Sequence, residues 1–342
     1  MRGRSILNRS KNDFFLNNFS HIYIEKEILD HHLTKRILNR FPKAKVIEIE
    51  HYKDVFNRSK QNFFLQKNSQ KLILAKKKDN FIYPGAEVCH DFGNQHFYYT
   101  ASILNCIYHC DYCYLQGMFS SSNIVIFVNI EDFLTELKQQ LKKHPVYLAI
   151  SYDTDLLALE NIVPFASTWI EFATDQPDLS IEIRTKSVNY SAIKHLSPAD
   201  NVILAWTISP EEVVQQYERG TPSLEARLNS IKQAIDDGWK VRLSFDPILH
   251  IENWKKHYKE CIDKTFNVLP INKIEDASIG VFRMPKDYLK SIKKHRSDSA
   301  LLYYSFEIKN GVVSYSDEIT NMLVKEIYQM INNYIPADKI FI

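Results

Sequence analysis

This chain of 342 residues contains little glycine and carries little net charge. Only 8 residues are glycine, which excludes the glycine-rich loops that bind phosphate groups in many nucleotide-binding proteins. The formal charge is +2, so the surface has no strong overall field, and contact with nucleic acid would depend on local basic patches. No apolar run is long enough to span a membrane, and the first residues lack the apolar core of a signal peptide. We therefore expect a cytoplasmic protein with no membrane partner.

Cysteine is also uncommon, but its distribution is informative. Three of the five cysteines follow the spacing Cys106-x3-Cys110-x2-Cys113. Thiolates are soft ligands, so this spacing predicts a metal site rather than a disulfide framework. Three thiolates can hold three irons of a four-iron cluster and leave the fourth iron open for chemistry. The alternative is a zinc site completed by His109, although this histidine is adjacent to Cys110 and the chain has no second cysteine pair.

The first 92 residues predict a small α/β unit. An apolar content of 45% and an aromatic content of 13% indicate a globular chain with a large core. Residues 1–20 are polar and rich in asparagine, which predicts a loosely held arm. Alternating and helical periodicity then predict strands at 21–25, 45–49 and 71–75 and a helix at 26–41.

Residues 93–284 alternate between strand and helix patterns, which favours a parallel sheet with outer helices. Six such units predict an α/β fold of the partial (βα)6 TIM-type barrel class, with functional residues at the carboxyl ends of the strands. The expected strands are 97–104, 146–151, 180–184, 202–208, 241–245 and 277–281, and the expected helices are 130–143, 163–174, 188–196, 223–236 and 254–267.

Residues 285–342 predict a C-terminal extension made of a basic run, a β-hairpin and a helix. Asn310-Gly311 is a strong hairpin turn signal between segments 301–308 and 312–315, and a helix is expected at 317–334. A basic run beside a tyrosine-bearing hairpin can hold phosphates and stack on bases. The alternative is a solvated helix under a covering hairpin. The basic residues are Lys286, Lys290, Lys293, Lys294, His295 and Arg296.

The cysteine motif is similar to the signature of the radical S-adenosylmethionine (SAM) enzymes. Residues 106–116 and 127–133 resemble the spore photoproduct lyase family, as do 22–25, 218–224 and 334–340, so the resemblance follows nearly the whole chain in order. It implies a 4Fe–4S cluster on Cys106, Cys110 and Cys113, with SAM bound at the open iron.

The resemblance further implies a DNA-repair lyase. Its substrate would be DNA carrying the thymine photolesion 5-thyminyl-5,6-dihydrothymine, the spore photoproduct. A 5′-deoxyadenosyl radical would remove hydrogen from C6 of the lesion, and two thymines would be restored. The cluster would need a reducing electron donor of the flavodoxin or ferredoxin type.

Two tyrosines and two strand-end residues match family positions. The resemblance implies SAM packing for Tyr112 and a radical or proton relay for Tyr114, and the alternative for both is aromatic core packing. Thr154 and Asp155 match positions that hold the SAM amino group. An ordinary helix N-cap is the alternative for Asp155.

Three more matches lie on later strands. Lys186 matches a lysine that meets the SAM carboxylate, with a solvated surface lysine as the alternative. Thr207 matches a serine that assists this family lysine. Asp246 falls where family backbone groups meet the adenine, although its side chain differs from the small family residue.

The most important departure is at Tyr152, where well-known family members have the cysteine that returns hydrogen to the product thymine radical. A phenol can also give up its O–H hydrogen. A thiol could come instead from Cys89, whose alternative is a structural role, whereas Cys261 lies in a helix pattern and fits a buried small hydrophobe. The hairpin also lacks a clear match for a family arginine that contacts the lesion.

Three functions are therefore weighed. The first is repair of the spore photoproduct, which requires the lesion to be flipped out of the duplex. The second is radical SAM chemistry on a different nucleic-acid or peptide substrate. The third is a non-catalytic nucleic-acid-binding protein that zinc stabilises.

Overall fold

The computed structural model describes residues 19–86 and 88–342 and shows an α/β fold with mixed sheets. The arm expected at 1–20 lies almost wholly outside these residues. Within the described ranges, the strands form one five-stranded sheet, one eight-stranded sheet and two small antiparallel sheets. No helix in these ranges has both the length and the apolar character needed to cross a membrane.

The five-stranded sheet confirms the three strands expected near the N-terminus and adds Ile124–Phe127, which was missed, and Ile103–Leu104, which was expected as part of the strand 97–104. Ile124–Phe127 pairs in parallel with Leu72–Ala75, and both segments are completely buried. The sheet therefore continues beyond residue 93 into chain that follows the cysteines. In spatial order, the strands are Lys45–Ile49, His21–Glu25, Leu72–Ala75, Ile124–Phe127 and the antiparallel Ile103–Leu104.

The eight-stranded sheet contains all six strands expected between 97 and 281, and neighbours among these six are parallel. The first strand was predicted too long, because 97–104 divides after Thr100 and its end joins the other sheet. In spatial order, the strands are Ile340–Phe341, Ile274–Val281, Lys240–Ile248, Val202–Thr207, Leu179–Thr185, Val146–Ala149, Phe97–Thr100 and the antiparallel Ile82–Pro84.

Helix ends follow local capping chemistry. The first helix begins at His32 rather than at 26, because Lys26–Ile28 forms a 3₁₀ turn and the His31 ring caps the amide of Leu33 at 3.3 Å. The helix expected at 188–196 is only a 3₁₀ turn, Asn189–Ala192. The α-helices are His32–Arg40, Lys53–Phe56, Phe63–Lys67, Leu115–Met118, Ile130–Leu141, Leu156–Leu159, Phe165–Thr174, Glu211–Tyr217, Leu224–Asp236, Trp254–Val268, Lys286–Lys293 and Asp317–Asn332. Further 3₁₀ turns are Ile271–Lys273, Ala300–Tyr303 and Ala337–Lys339.

The expected hairpin is present, although its first strand is shorter than predicted. Glu307–Lys309 pairs with Val312–Ser314, and Asn310 and Gly311 both have positive φ, as a type I′ turn requires. The segment from residue 300 to Tyr303 is a 3₁₀ turn instead of a strand. A third strand, Arg283–Pro285, pairs with Val312–Ser314 and follows directly after the strand Ile274–Val281 of the large sheet.

A buried charge network joins four strands of the large sheet and passes over a fifth, Val202–Thr207, which lies between the strands of Glu182 and Arg242. The Arg242 guanidinium donates to Asp276 at 2.5 Å, to Glu182 at 2.6 Å and to the Tyr147 hydroxyl at 2.6 Å. Burial raises the pKa of Glu182, but Arg184 and Arg242 outweigh burial and lower it to about 2. The carboxylate therefore stays ionised, and the network ties these four strands together.

Candidate active site

The cysteine loop begins at Asn105, whose backbone has a φ of 69°. The Asn105 amide donates to the carbonyls of Ser121 and Asn123 at 2.8 and 2.7 Å. Gln116 closes the other end by donating to the Cys110 carbonyl at 2.7 Å. Side-chain amides thus satisfy backbone groups that no helix or strand pairs, and they hold the loop in one shape.

Cys106, Cys110 and Cys113 are free thiols that line one pocket. Burial raises the pKa of Cys106 to about 12 and that of Cys110 well above its usual value. These buried thiols would therefore stay protonated at neutral pH unless a metal displaced their protons.

Lys67 lines the same pocket and is 7% exposed. Its ammonium group donates to the Cys106 carbonyl. Burial lowers the pKa of Lys67, and the three thiols act in the opposite direction. A buried cation next to three potential thiolates fits a negatively charged metal–sulfur group.

The geometry favours a cluster over one zinc ion. His109 Nε2 lies 3.3 Å from the Arg296 guanidinium, which can only donate, so this ring nitrogen is an acceptor already engaged. Burial lowers the pKa of His109 to about 3, with Lys67 and Arg296 adding to the effect. In a cluster, by contrast, each thiolate binds a different iron.

A short antiparallel pairing clamps the cysteine loop from one side. Glu218 and Arg219 pair with Cys110 and His109, respectively. The Glu218 carboxylate is buried and accepts from Tyr112 and Arg227. Burial raises the pKa of Glu218, but Arg227 dominates and lowers it to about 2.

A buried arginine holds the loop from the other side. Arg296 is 1% exposed and donates to Asp111 at 2.6 Å and to Gln116 at 3.0 Å. It also donates to Asp298 at 2.9 Å. The Arg296 guanidinium is buried and bonded to Asp111, Gln116 and Asp298. It is therefore not available to bind phosphate, and the prediction that Arg296 belongs to a phosphate-binding run is wrong. Lys286, Lys290, Lys294 and His295 of the run are exposed, and Lys293 is half-buried.

The predicted SAM residues lie at the carboxyl ends of adjacent parallel strands. The Asp155 carboxylate accepts from Thr185 at 2.7 Å and from the amides of Lys186 and Ala158 at 2.7 and 3.1 Å. It therefore caps the helix Leu156–Leu159, which was the alternative considered for it. Burial raises the pKa of Asp155.

At this edge of the sheet, the Thr154 hydroxyl and the Lys186 ammonium form no hydrogen bond or salt bridge with the described residues. Thr154 Oγ1 is buried without a hydrogen-bond partner among the described residues. The Lys186 ammonium lies 5.5 Å from the centre of the Tyr112 ring, and its charge helps to lower the pKa of Glu218, although it forms no salt bridge with the described residues. A donor or acceptor hydroxyl and a free cation suit the amino and carboxylate groups of SAM.

Thr207 and Asp246 are less available to bind SAM. Thr207 is 2% exposed, and its carbonyl accepts from Arg227 at 3.1 Å. Asp246 accepts two hydrogen bonds from Arg283, at 2.9 and 3.1 Å. Burial raises the pKa of Asp246, but Arg283 outweighs it and the net pKa is lowered. The Asp246 side chain is thus already paired.

The three predicted catalytic residues come together. Cys89 Sγ lies 3.5 Å from the Tyr152 hydroxyl, and the Tyr152 ring stacks on Tyr99 with 4.1 Å between centroids. The Tyr114 hydroxyl donates to the Tyr152 carbonyl at 2.8 Å and to Asp153 at 3.1 Å. Burial raises the pKa of Tyr152, and Cys89 adds to it, so the phenol keeps its proton.

Contacts with the large sheet anchor the segment that carries Cys89. The Phe92 ring lies 3.2 Å from the Arg242 guanidinium carbon, and His90 Nε2 lies 3.1 Å from the Ile279 carbonyl. Arg283 donates to the Val88 carbonyl at 2.8 Å. The thiol is therefore held next to Tyr152 by a segment with three separate attachments.

Sequence reasoning missed several residues that shape this site. Asp111 and Gln116 lie within the motif 106–116 but were given no role, and no local pattern assigned Lys67, Arg227 or Arg296 to the cysteine loop or its clamp. The sequence signal for the clamp is the segment 218–224, which resembles the family and contains Glu218 and Arg219.

Comparisons with known proteins agree with this geometry. A family model described as spore photoproduct lyase matches residues 17–341. The spore photoproduct lyase of Clostridium acetobutylicum is 24% identical over 273 residues, which are 76% of this chain and 77% of that protein. The enzyme of Bacillus subtilis is 24% identical over 264 residues, 73% of each chain.

Solved structures share the fold. A double mutant of spore photoproduct lyase with bound AdoMet and dinucleoside spore photoproduct has a TM-score of 0.80 and 18% identity, and the match covers 94% of this chain and 97% of that one. A complex with the dinucleoside spore photoproduct alone has a TM-score of 0.79 and 17% identity, with 95% and 98% coverage. Because the family model spans nearly the whole sequence, the chain belongs to the spore photoproduct lyase family.

Proposed function

We propose that this protein is a radical SAM lyase that converts the spore photoproduct in DNA back to two thymines. The observation that carries the proposal is the convergence of three free cysteines on one pocket in a chain that matches the family from end to end. We further propose that the six parallel strands and their helices form the partial (βα)6 barrel of this class, and that the protein acts in the cytoplasm.

Cys106, Cys110 and Cys113 would hold the cluster, and Lys67 would balance its charge. When bound, the cluster and SAM supply the 5′-deoxyadenosyl radical that starts the reaction. Thr154 and Lys186 offer the groups that SAM needs, and Tyr112 packs beside Lys186. Asp155 orients the Lys186 backbone, and Thr207 and Asp246 line the neighbouring strand ends.

The hydrogen donor would be Cys89, with Tyr152 as its hydrogen-bond partner. One hydrogen atom would move from sulfur to the carbon radical of the product thymine, and the unpaired electron would remain on sulfur. A donor of the flavodoxin or ferredoxin type would then restore the thiol with one electron and a solvent proton. The 3.5 Å contact between Cys89 and Tyr152 supports this role. Tyr114, which contacts the Tyr152 backbone, would position the pair.

The DNA surface would include the exposed lysines of the helix Lys286–Lys293 and the hairpin beside it. Tyr303 is 52% exposed and is available for stacking on a base. These residues would hold the backbone while the lesion is flipped into the site.

A related enzyme with another nucleic-acid or peptide substrate is the second candidate. The replacement of the family cysteine by Tyr152 favours it, because this position meets the product in better-known members.

The experiment that tests the proposal is anaerobic reconstitution with iron and sulfide, followed by dithionite, SAM and a synthetic dinucleoside spore photoproduct. We expect restored thymidine dinucleoside together with 5′-deoxyadenosine, and neither product with Cys113→Ala. If 5′-deoxyadenosine forms while the lesion persists, the second candidate replaces the first. If Cys113→Ala still cleaves SAM, the cluster assignment is wrong.

A further inference from the structure

The helix Phe63–Lys67 forms the outer wall of the cysteine pocket. Phe63 and Lys67 both line the pocket, as expected for residues four positions apart on one helical face. Leu65 lies midway between them, so it points away from the thiols, and it is 62% exposed. A large apolar side chain therefore stands at the surface just outside the proposed cluster site.

A rigid basic turn precedes this helix. The Gln61 amide donates to the carbonyls of Phe56 and Arg58 at 3.0 and 2.9 Å, and its oxygen accepts from Gln66 at 2.6 Å. These bonds join the turn to the helix, with the side chains of Arg58 and Lys60 exposed. The two cations are presented by a preorganised surface and not by a loose loop.

Further cations adjoin the other side of the helix. The Phe64 ring lies 5.3 Å from the His109 ring and 4.9 Å from the Arg296 guanidinium. Asp298 accepts from both Arg296 and Arg219, and the Arg219 side chain is 41% exposed. Arg296 is buried, so Arg219, which pairs with Asp298, supplies the exposed cation on this side of the helix.

We propose that Arg58, Lys60, Leu65 and Arg219 form a docking surface, here called the carrier surface, for a small acidic one-electron carrier protein. This inference rests on the proposed function, which requires electrons from outside. The carrier would lose one electron, and the group held by the three cysteines would gain it, with no bond made or broken.

The composition of the carrier surface favours a protein as its binding partner over DNA. An apolar centre with a charged rim is typical of protein–protein interfaces, whereas nucleic-acid backbones are held mainly by polar and cationic groups. The exposed lysines of the helix Lys286–Lys293 already provide a polar and cationic surface of the kind that holds nucleic-acid backbones. Because Phe63 and Lys67 line the thiol pocket, a carrier bound to the outer face of their helix would lie next to the three cysteines.

The test uses purified flavodoxin as the probe, with two variants, Leu65→Glu and the double change Arg58→Glu/Lys60→Glu. We expect flavodoxin affinity, measured by titration calorimetry at low ionic strength, to fall by about tenfold or more in each variant. Stopped-flow reduction of the reconstituted protein by flavodoxin hydroquinone should slow, while reduction by dithionite should keep its wild-type rate.

Matched controls are Met322→Glu, which changes a 38% exposed apolar side chain, and Lys232→Glu, which changes an exposed lysine on a distant helix. Unchanged flavodoxin affinity in both carrier-surface variants, or an equal loss in the controls, would overturn the inference. A loss of DNA affinity in place of flavodoxin affinity would also overturn it. Failure of lesion repair with dithionite would count against the proposed function alone, because the affinity measurement does not depend on turnover.

Discussion

A buried hydroxyl without a hydrogen-bond partner is costly, and Thr154 carries one at the edge where SAM is proposed to bind. Its neighbour Asp155, in contrast, is fully occupied as a helix cap. The two residues were predicted to share one role from the sequence. At the residue scale the structure separates them, with Thr154 available to a ligand and Asp155 engaged in holding the backbone.

We predict that Thr154→Val lowers SAM affinity without destabilising the cofactor-free protein. Valine has nearly the same shape and removes the unpaired oxygen, so the free energy of unfolding should stay equal or rise by about 1 kcal/mol. Equilibrium titration with SAM and urea denaturation check the two parts. Unchanged SAM affinity would remove Thr154 from the site.

The Cys89–Tyr152 pair allows the hydrogen donor to be identified. In D₂O, thiol and phenol hydrogens exchange, so a donor of either type delivers deuterium to the restored thymine. We expect Cys89→Ala to lower the yield of repaired product and its deuterium content strongly, and Tyr152→Phe to lower them less. Mass spectrometry of the dinucleoside measures both.

The reverse order of effects would make Tyr152 the donor. Full deuterium content in both single variants would exclude the pair. Cys261→Ala provides the thiol control, because Cys261 is 3% exposed within a helix and should not affect labelling.

At the scale of elements, the cysteine loop is held by parts of the chain that are far away in sequence. Arg296 comes from the turn after the basic helix and reaches Asp111 and Gln116, while Gly117 lies against the backbone of Tyr288. A Cβ added at Gly117 would approach the Tyr288 carbonyl oxygen to within 2.4 Å, so only glycine permits this contact. The proposed DNA-binding helix and the cysteine loop therefore pack as one unit.

We predict that Arg296→Gln destabilises the protein and lowers iron content after reconstitution. Removing the cation leaves the buried Asp111 with only the more distant Arg219, at 3.7 Å, and the loss of a buried ion pair costs about 3–5 kcal/mol. Lys294→Gln, an exposed neighbour, should change stability by no more than about 0.5 kcal/mol. Chemical denaturation and iron analysis measure the effect, and equal behaviour of the two variants would contradict the role given to Arg296.

Local sequence signals predicted some elements well and could not predict others. Asn310-Gly311 has one favourable turn geometry, so the hairpin turn was predicted correctly. Ile124–Phe127 was missed because the apolar run 124–128 is short and continuous and has no periodicity to separate strand from helix. The burial of Arg296 depends on partners 180 and 185 residues away, which no local pattern records.

At the scale of the whole molecule, two sheets and the segments between them bring the cysteine loop and the strand ends together. The repeating strand and helix pattern was enough to predict the parallel order of the large sheet. It did not predict that Ile124–Phe127 and Ile82–Pro84 would each join the sheet of the other unit, because strand pairing between distant segments depends on packing. The cysteine triad, which is local, was the part of the site that the sequence indicated most directly.

We predict that the exposed lysines of the C-terminal extension dominate the salt dependence of DNA binding. Changing Lys286, Lys290 and Lys294 together to Gln should reduce the slope of log affinity against log salt by about 0.9 for each lost phosphate contact. Changing Lys255, Lys259 and Lys264, which pair with carboxylates, should leave the slope unaltered. Fluorescence anisotropy with a duplex oligonucleotide measures the slope, and identical losses in both triple variants would contradict the assignment.

The central claim, that this protein directs a radical at the spore photoproduct, is tested most directly with a lesion that carries deuterium at C6. The reconstituted protein is given dithionite, SAM and the labelled dinucleoside, and the 5′-deoxyadenosine is analysed by mass spectrometry. We predict that 5′-deoxyadenosine contains deuterium and that thymidine dinucleoside accumulates with it. Unlabelled 5′-deoxyadenosine beside intact lesion would contradict the claim and direct the search to another substrate.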